Sequence, residues 1–459
     1  MARLSRFVAI GDQAVSSISN FVAVAITANV ATAGQFGQFS LGYAGLLLFL
    51  GAQRALIGET LLVKYSAAGA LDATVRRAVL GASTLASAAA LPLLLAGAIL
   101  TDESSRLLWL VIAASLPFVL VQDTLRYLFI CEGRPSRALL IDGVWAVLSI
   151  VSMMLVAVNA GAVWAVVLCW GAGAAAALIL GLVLGRALPS PRGGVRWLGA
   201  NRNPGLRYLG EFSALNASTF VVLYFLAIPL GAAGVGALRA AQLLFSPLNT
   251  AFSAIKMAVI PELVRSRGTK VFRNRLIETF LVVAALAGFW GAVVMFLPAS
   301  VGALLLGDTW QSASELRLPY LLQYVAMVPY TVLLAYYRSV QANRLSTLMR
   351  AVLAGLTLVL PLALASAGGT LAAAWAFTLA VAVAAVAGGI ATVVWRSRSG
   401  SVPLSGAAAL SGPEAPSGSE PSGLPEPSLA ATAAATAAAP GAGDATPVDA
   451  ELRAAADPR

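Results

Sequence analysis

Asp12, Arg54, Glu59, Asp123, Asp142, Glu211, Arg239, Lys256 and Glu278 all stand inside long apolar runs of this sequence. An ionised side chain in hydrocarbon costs ~2.5–3.5 kcal/mol on insertion scales, so each of these needs a partner or a use. Carboxylates in such places can carry a proton or hold a sodium ion, while cations can hold a carboxylate or a phosphate. Helical rise puts Asp12 about 6–8 Å inside its run, Glu59 at about that depth in the next and Arg54 deeper. An Asp12–Arg54 pair is therefore expected, with Glu211 and Lys256 at comparable depths in the second half. Asp142 lies about four residues into its run and is expected to meet Arg126 or Arg137 near the surface. Glu278 reads as interfacial. Arg239 falls near the outer end of its run, where reaching back to water is the simple expectation. The candidate substrate-binding residues are Arg54, Lys256, Arg239, Gln53 and Asn20; the gate or ion-coupling candidates are Asp12, Glu59, Asp123 and Glu211. For Asp12 and Glu211 an ion pair that fixes helix packing or a gate is an equally good reading.

The elements that position these groups are membrane helices. Phe7–Val30, FVAIGDQAVSSISNFVAVAITANV, is long enough to cross a ~30 Å hydrocarbon core. Asp12, Ser16, Asn20 and Thr27 fall along one face of it. A polar stripe on a spanning helix belongs against other helices or a watery cavity, and one helix cannot decide between the two. The helix is echoed 199 residues later: Gly11-Asp12 by Gly210-Glu211, Phe21-Val22 by Phe220-Val221, Gly37 by Gly236 and Arg76 by Arg275. Further on, Gly133-Arg134-Pro135-Ser136 sits against Asn343-Arg344-Leu345-Ser346 at an offset of 210.

Composition excludes a soluble globular protein: 59% of the 459 residues are hydrophobic and 11% charged, with a mean hydropathy of +0.84. The net charge of +10 does not point to nucleic acid, because most Lys and Arg sit in short loops between apolar runs. There is no His, which removes imidazole catalysis and the common His-containing metal sites, and Cys131 and Cys169 have no paired spacing. Twelve spans are predicted, at about 7–30, 37–63, 76–100, 107–130, 138–158, 161–185, 208–231, 236–263, 276–299, 317–337, 346–366 and 370–395. The basic loops then all fall on one side, which leaves only Arg106 and Arg317 on the other. That asymmetry places both termini in the cytoplasm. The expected fold class is an all-α integral membrane protein of two parallel six-helix repeats, at 1–185 and 208–395, joined by a cytoplasmic linker at 186–207. Residues 396–459, rich in Ala, Pro, Ser and Gly, are expected to be a disordered tail. The N-terminus imitates a signal peptide, but its apolar core is interrupted by Asp12 and Asn20 and is too long for one. Gly171–Gly181 reads as a close helix-packing stripe, and GDTWQSASEL after Leu306 as a short interfacial helix. No P-loop, Ser-centred elbow or metal-ligand spacing is present, and no cofactor or catalytic residue is expected.

The stretch GDQAVSSISNFVAVAITANVATAGQFGQFSLGYAGLLLF, with Phe36-Gly37-Gln38-Phe39 closing its short loop, resembles the opening of bacterial polysaccharide-biosynthesis membrane proteins. These are the Wzx-type oligosaccharide-lipid flippases of the MOP (MATE-like) superfamily. The resemblance implies two six-helix bundles in a V, alternating access, a plasma-membrane location and a polyprenyl-diphosphate-linked oligosaccharide moved to the outer leaflet. It also implies membrane lipids, a polysaccharide polymerase and glycosyltransferases as partners, and Arg54, Arg239 and Lys256 as the cations for the diphosphate. Competing readings are a proton- or sodium-coupled multidrug antiporter using Asp12, Glu59 and Asp123, a lipid II flippase, which usually has two more helices, and a membrane polymerase or ligase. The last should carry a large external loop with catalytic Arg or His. A purely structural scaffold also stands open.

Overall fold

The computed structural model describes residues 16, 18–65 and 71–398. All regular structure among these residues is helical. We number the helices α1 (Ile18–Val30), α2 (Ala33–Tyr65), α3 (Ala73–Leu100), α4 (Glu103–Cys131), α5 (Pro135–Val158) and α6 (Val163–Gly185). There follow α7 (Pro191–Ala200), α8 (Arg202–Phe212), α9 (Ser218–Arg265), α10 (Lys270–Met295), α11 (Ala299–Leu306), α12 (Thr309–Ser314), α13 (Arg317–Ser339) and α14 (Asn343–Arg398). Among the described residues nine helices are long and apolar enough to cross a membrane: α2 to α6, α9, α10, α13 and α14. Their outward faces carry large apolar side chains such as Ile99, Val158, Ile228 and Phe296, a pattern suited to lipid contact.

Local chemistry sets the breaks. Thr32 begins α2 with a capping box: its Oγ1 accepts from the Gln35 amide and the Gln35 side chain accepts from the Thr32 amide. Two helices are interrupted by glycine. In α9 Gly231 takes φ 66°, and in α14 Gly369 takes φ 67°, a region that side chains with a Cβ avoid. Arg76 and Arg137 both donate to the last carbonyls of α6, at Gly185 and Leu184, each at 2.9 Å. Those basic loop residues therefore also cap a helix C-terminus, where cations are favoured.

The glycine stripe in α6 packs closely, since a Cβ on Gly171, Gly173 or Gly181 would run into Ser115, Ser149 or Leu125 of α4 and α5. The expected interfacial helix is α12. The linker at 186–207 contains α7 and leads into α8. Gly194 and Trp197 of α7 are buried against α3 because Gly81 and Gly194 let the two backbones touch. α8 then continues through a π-helical turn, Ser213–Ala217, into α9. Asp12 and the tail from 399 onward lie outside the described residues.

The two sequence halves meet where α2 crosses α9. Gly37 lies against the carbonyl of Ala232, and Gly236 against Gly37 and the carbonyl of Ala33. The two glycines matched by the 199-residue offset thus face each other. At the same end, Asn29 of α1 donates to the Leu304 carbonyl of α11 at 2.7 Å. The main apolar core runs through this region and unites α1, α2, α4, α6, α9 and α13.

Candidate functional site

Beyond that crossing α9 carries Arg239, Gln242, Ser246, Asn249 and Thr250 at helical spacing, so they fall near one face. α13 answers with Tyr320, Gln323, Tyr324 and Met327, α1 with Asn20, Phe21 and Val24, and α2 with Tyr43. Together they enclose a cavity of about 690 Å³. Among the described residues Arg239 is the only charged one in its lining, and none of the described lining residues is a carboxylate. Its Nη1 donates to Gln242 Oε1 at 3.1 Å, and Tyr43, Tyr320 and Tyr324 stand within its electrostatic reach. Among the described residues it has no acidic partner at ion-pair distance. Arg239 thus lines a cavity and does not simply reach outward to bulk water, as its depth in the sequence led one to expect.

The walls are stiffened by aromatic contacts. Phe245 stacks on Tyr324 with ring centroids 5.3 Å apart, and Phe36, Phe39, Tyr43, Trp170 and Trp145 touch in series at 5.3–5.9 Å. Such stacked and edge-on pairs fix ring orientation. Gln323 Oε1 is buried without a hydrogen-bond partner among the described residues. It is available to a donor on a bound molecule.

Arg54 behaves differently from expectation. It lies at the start of a π-helical turn, Arg54–Glu59, which redirects the end of α2. Its Nε and Nη2 donate to both oxygens of Asp123, at 2.9 and 2.7 Å. Its carboxylate partner is therefore Asp123 of α4. On the same network Arg126 Nε lies 3.1 Å from Asp142 Oδ2, Arg126 Nη1 lies 3.9 Å from Asp123, and Gln122 donates to Asp142 at 2.8 Å. Among the described residues two cations and two anions form this cluster between α2, α4 and α5. Asp142 meets Arg126 as expected, but both are buried. Gln53, one residue before Arg54, is buried on the α2–α4 seam, where its amide donates to Leu120 O and Thr124 Oγ1.

The second half does not repeat the pair. Lys256 is electrostatically coupled to Arg338 and Arg350, with no ion pair to Glu211 among the described contacts. Glu211 is exposed and lies within electrostatic reach of Glu59, which is also exposed. Glu278 is exposed and pairs with Arg275 at 2.9 Å. Asn20 is the expected residue that joins Arg239 at the cavity, and it also borders a small void of about 20 Å³ beside Asp142 and Trp145. Sequence reasoning missed Tyr43, Gln242, Asn249, Tyr320, Gln323 and Tyr324, because neutral polar groups carry no burial cost large enough to draw notice. The signal was available in the helical spacing of Arg239, Gln242, Ser246 and Asn249.

Solved structures place this architecture. The chain is similar to an inward-facing conformation of a multidrug resistance MATE family transporter of the MOP superfamily, with TM-score 0.64, 14% identity, and coverage of 85% of this chain and 98% of that one. The fold is that of the MOP-superfamily transporters. The lipid II flippase MurJ in an inward closed conformation has TM-score 0.62 and 11% identity over 83% of this chain and 86% of that one. A MOP-superfamily transporter from Pyrococcus furiosus, whose binding pocket is described as of reverse polarity, has TM-score 0.54 and 14% identity over 86% and 95%. No protein-family model and no curated protein matches the sequence. At these identities the MOP likeness fixes the fold alone, and the chemistry of the site rests on this chain's own residues.

Proposed function

We propose that this chain is a bacterial plasma-membrane flippase that moves a polyprenyl-diphosphate-linked oligosaccharide from the cytoplasmic to the outer leaflet by alternating access. Dividing α9 and α14 at their glycines gives eleven of the twelve expected spans, and α1 covers the described part of the expected span at 7–30. The observation that carries the function is the placement of Arg239 and its polar neighbours in the cavity lining. Arg239 stands among tyrosines, amides and hydroxyls, with no carboxylate among the described lining residues. A cation with several donors suits a diphosphate, and the amides and phenols suit sugar hydroxyls. Inside-negative potential favours outward movement of that charge by ~2.3 kcal/mol per charge per 100 mV, so strict ion coupling is not required.

The antiporter reading is weakened by the same geometry. A cationic drug entering this cavity would meet Arg239 and no acid among the described lining residues, and Asp123, one of the three acids that reading offers for coupling beside Asp12 and Glu59, is paired with Arg54. Liposomes containing the purified chain and a fluorescent polyprenyl-diphosphate sugar test the proposal by the rate at which label becomes accessible on the opposite leaflet. Arg239→Gln is expected to slow flipping, and undiminished flipping by that variant, or transport of organic cations instead, would overturn the reading.

A further inference from the structure

The arginines of the connection between the two halves form a second positively charged surface, remote in chemistry from the cavity. Between Asp142 and Glu211 the chain has no acidic residue, yet Arg186, Arg192, Arg196, Arg202 and Arg207 fall there. In α7 the faces are sharply divided. Gly194 and Trp197 are buried on α3, and Lys64 Nζ donates to Asn201 Oδ1 at 3.2 Å to hold the end of the helix down. Arg192, Val195 and Arg196 share the opposite, exposed face. Arg202 and Arg207 of α8 are likewise exposed, beside exposed Leu206, and Leu188 is exposed just before α7. None of Arg192, Arg196, Arg202 and Arg207 has a hydrogen bond or ion pair within the described residues, so their charge is directed outward.

The place of this surface names its partner. α7 follows six residues after the end of the spanning helix α6, rests on the first turns of α3, and is followed through α8 by α9. It therefore lies at the ends of three spanning helices, at headgroup level. An exposed face that alternates arginine with Val and Leu is the pattern of a helix that inserts apolar side chains at the acyl boundary and sets cations among phosphates. We propose that Arg192, Val195 and Arg196 of α7, with Arg202 and Arg207 of α8, bind anionic phospholipid headgroups of the adjoining leaflet. Lipid charge would thereby grip the strap between the two halves, whatever the cargo.

The test uses the full chain in detergent, titrated with phosphatidylglycerol or with phosphatidylcholine while thermal unfolding and bound lipid, by native mass spectrometry, are followed. Phosphatidylglycerol is expected to bind and raise the midpoint, phosphatidylcholine to do neither, and 0.5 M salt to remove the effect through screening to about 4 Å. Replacing all four arginines by glutamine is expected to weaken phosphatidylglycerol binding by roughly 10- to 100-fold, and replacing them by lysine to restore most of it. The lysine variant distinguishes lost charge from a damaged fold. Equal binding of both lipids, or full binding by the glutamine variant, would overturn the proposal. So would displacement of phosphatidylglycerol by a soluble acidic peptide at equal charge concentration, which would give the surface to a protein partner.

Discussion

Asp123 offers the sharpest test of how the intramembrane charges are used. If it is an ion-coupling group, neutralising it should stop transport whatever stands at Arg54. If it serves chiefly to neutralise Arg54, its loss should be repaired by removing that arginine. Asp123 is 5% exposed and Arg126 12% exposed, while Arg54 retains 38% exposure. Asp123→Asn leaves the Arg54–Arg126–Asp142 remnant with one unbalanced positive charge. Removing one member of a fully buried pair costs about 3–5 kcal/mol. Because Arg54 can turn partly to water, we expect about 1.5–3 kcal/mol, the range of a charge-assisted hydrogen bond. The double variant Asp123→Asn with Arg54→Gln restores neutrality and should recover at least 1 kcal/mol relative to the sum of the two single effects, within the ~0.5–3 kcal/mol seen for contacting residues. Reversible unfolding in mixed micelles measures the three variants against the wild type, and the lipid-flipping assay is run on each. Additivity within ~0.5 kcal/mol would refute the pairing as an energetic unit. Flipping lost in the double variant despite recovered stability would return Asp123 to a coupling role.

Arg239→Gln should lower flipping about 10- to 100-fold, the equivalent of one charge-assisted hydrogen bond, and Arg239→Lys should fall between, as a single-point cation replaces a fork. Lys256→Gln should leave stability unchanged or raised, because it relieves repulsion from Arg338 and Arg350; a marked loss in thermal unfolding would show an acidic partner for Lys256. Gly194→Val should cost about 1–3 kcal/mol by forcing α7 away from Gly81, and should speed tryptic cleavage at Arg192 and Arg196. Gly236→Leu should part α2 from α9 and make a cysteine placed at Tyr43 more reactive to impermeant thiol reagents; unchanged reactivity would contradict the close packing of the two helices there.

The membrane fold was legible because the driving patterns are strong: long apolar runs separated by short loops that hold most of the Lys and Arg. The π-helical turns at Arg54–Glu59 and Ser213–Ala217 leave no comparable trace, since a π turn costs one backbone register and no special residue. Depth along a helix was readable, but azimuth against unknown neighbours was not. Hence the sequence pointed Arg54 to Asp12, which lies outside the described residues, and gave no sign that α4 brings Asp123 to it from 69 residues away. Arg239 shows the same limit from the other side: its height was read from the sequence, whereas its facing into the cavity depends on how α9 packs on α1, α2 and α13. The linker gave no sign of a helix, since PRGGVRWLGA is short and glycine-rich, yet those same glycines allow α7 to lie on α3.

The bare glycine crossing of α2 and α9 also sets a lever ratio. From Gly37 to Tyr65, α2 extends about 40 Å, so a rocking of ~10° about the crossing carries its far end about 7 Å while the crossing itself hardly moves. With no side chain wedged between the backbones there, rotation meets little interlocking. The molecule would then gain a wide excursion at one mouth from a small angular change at the other.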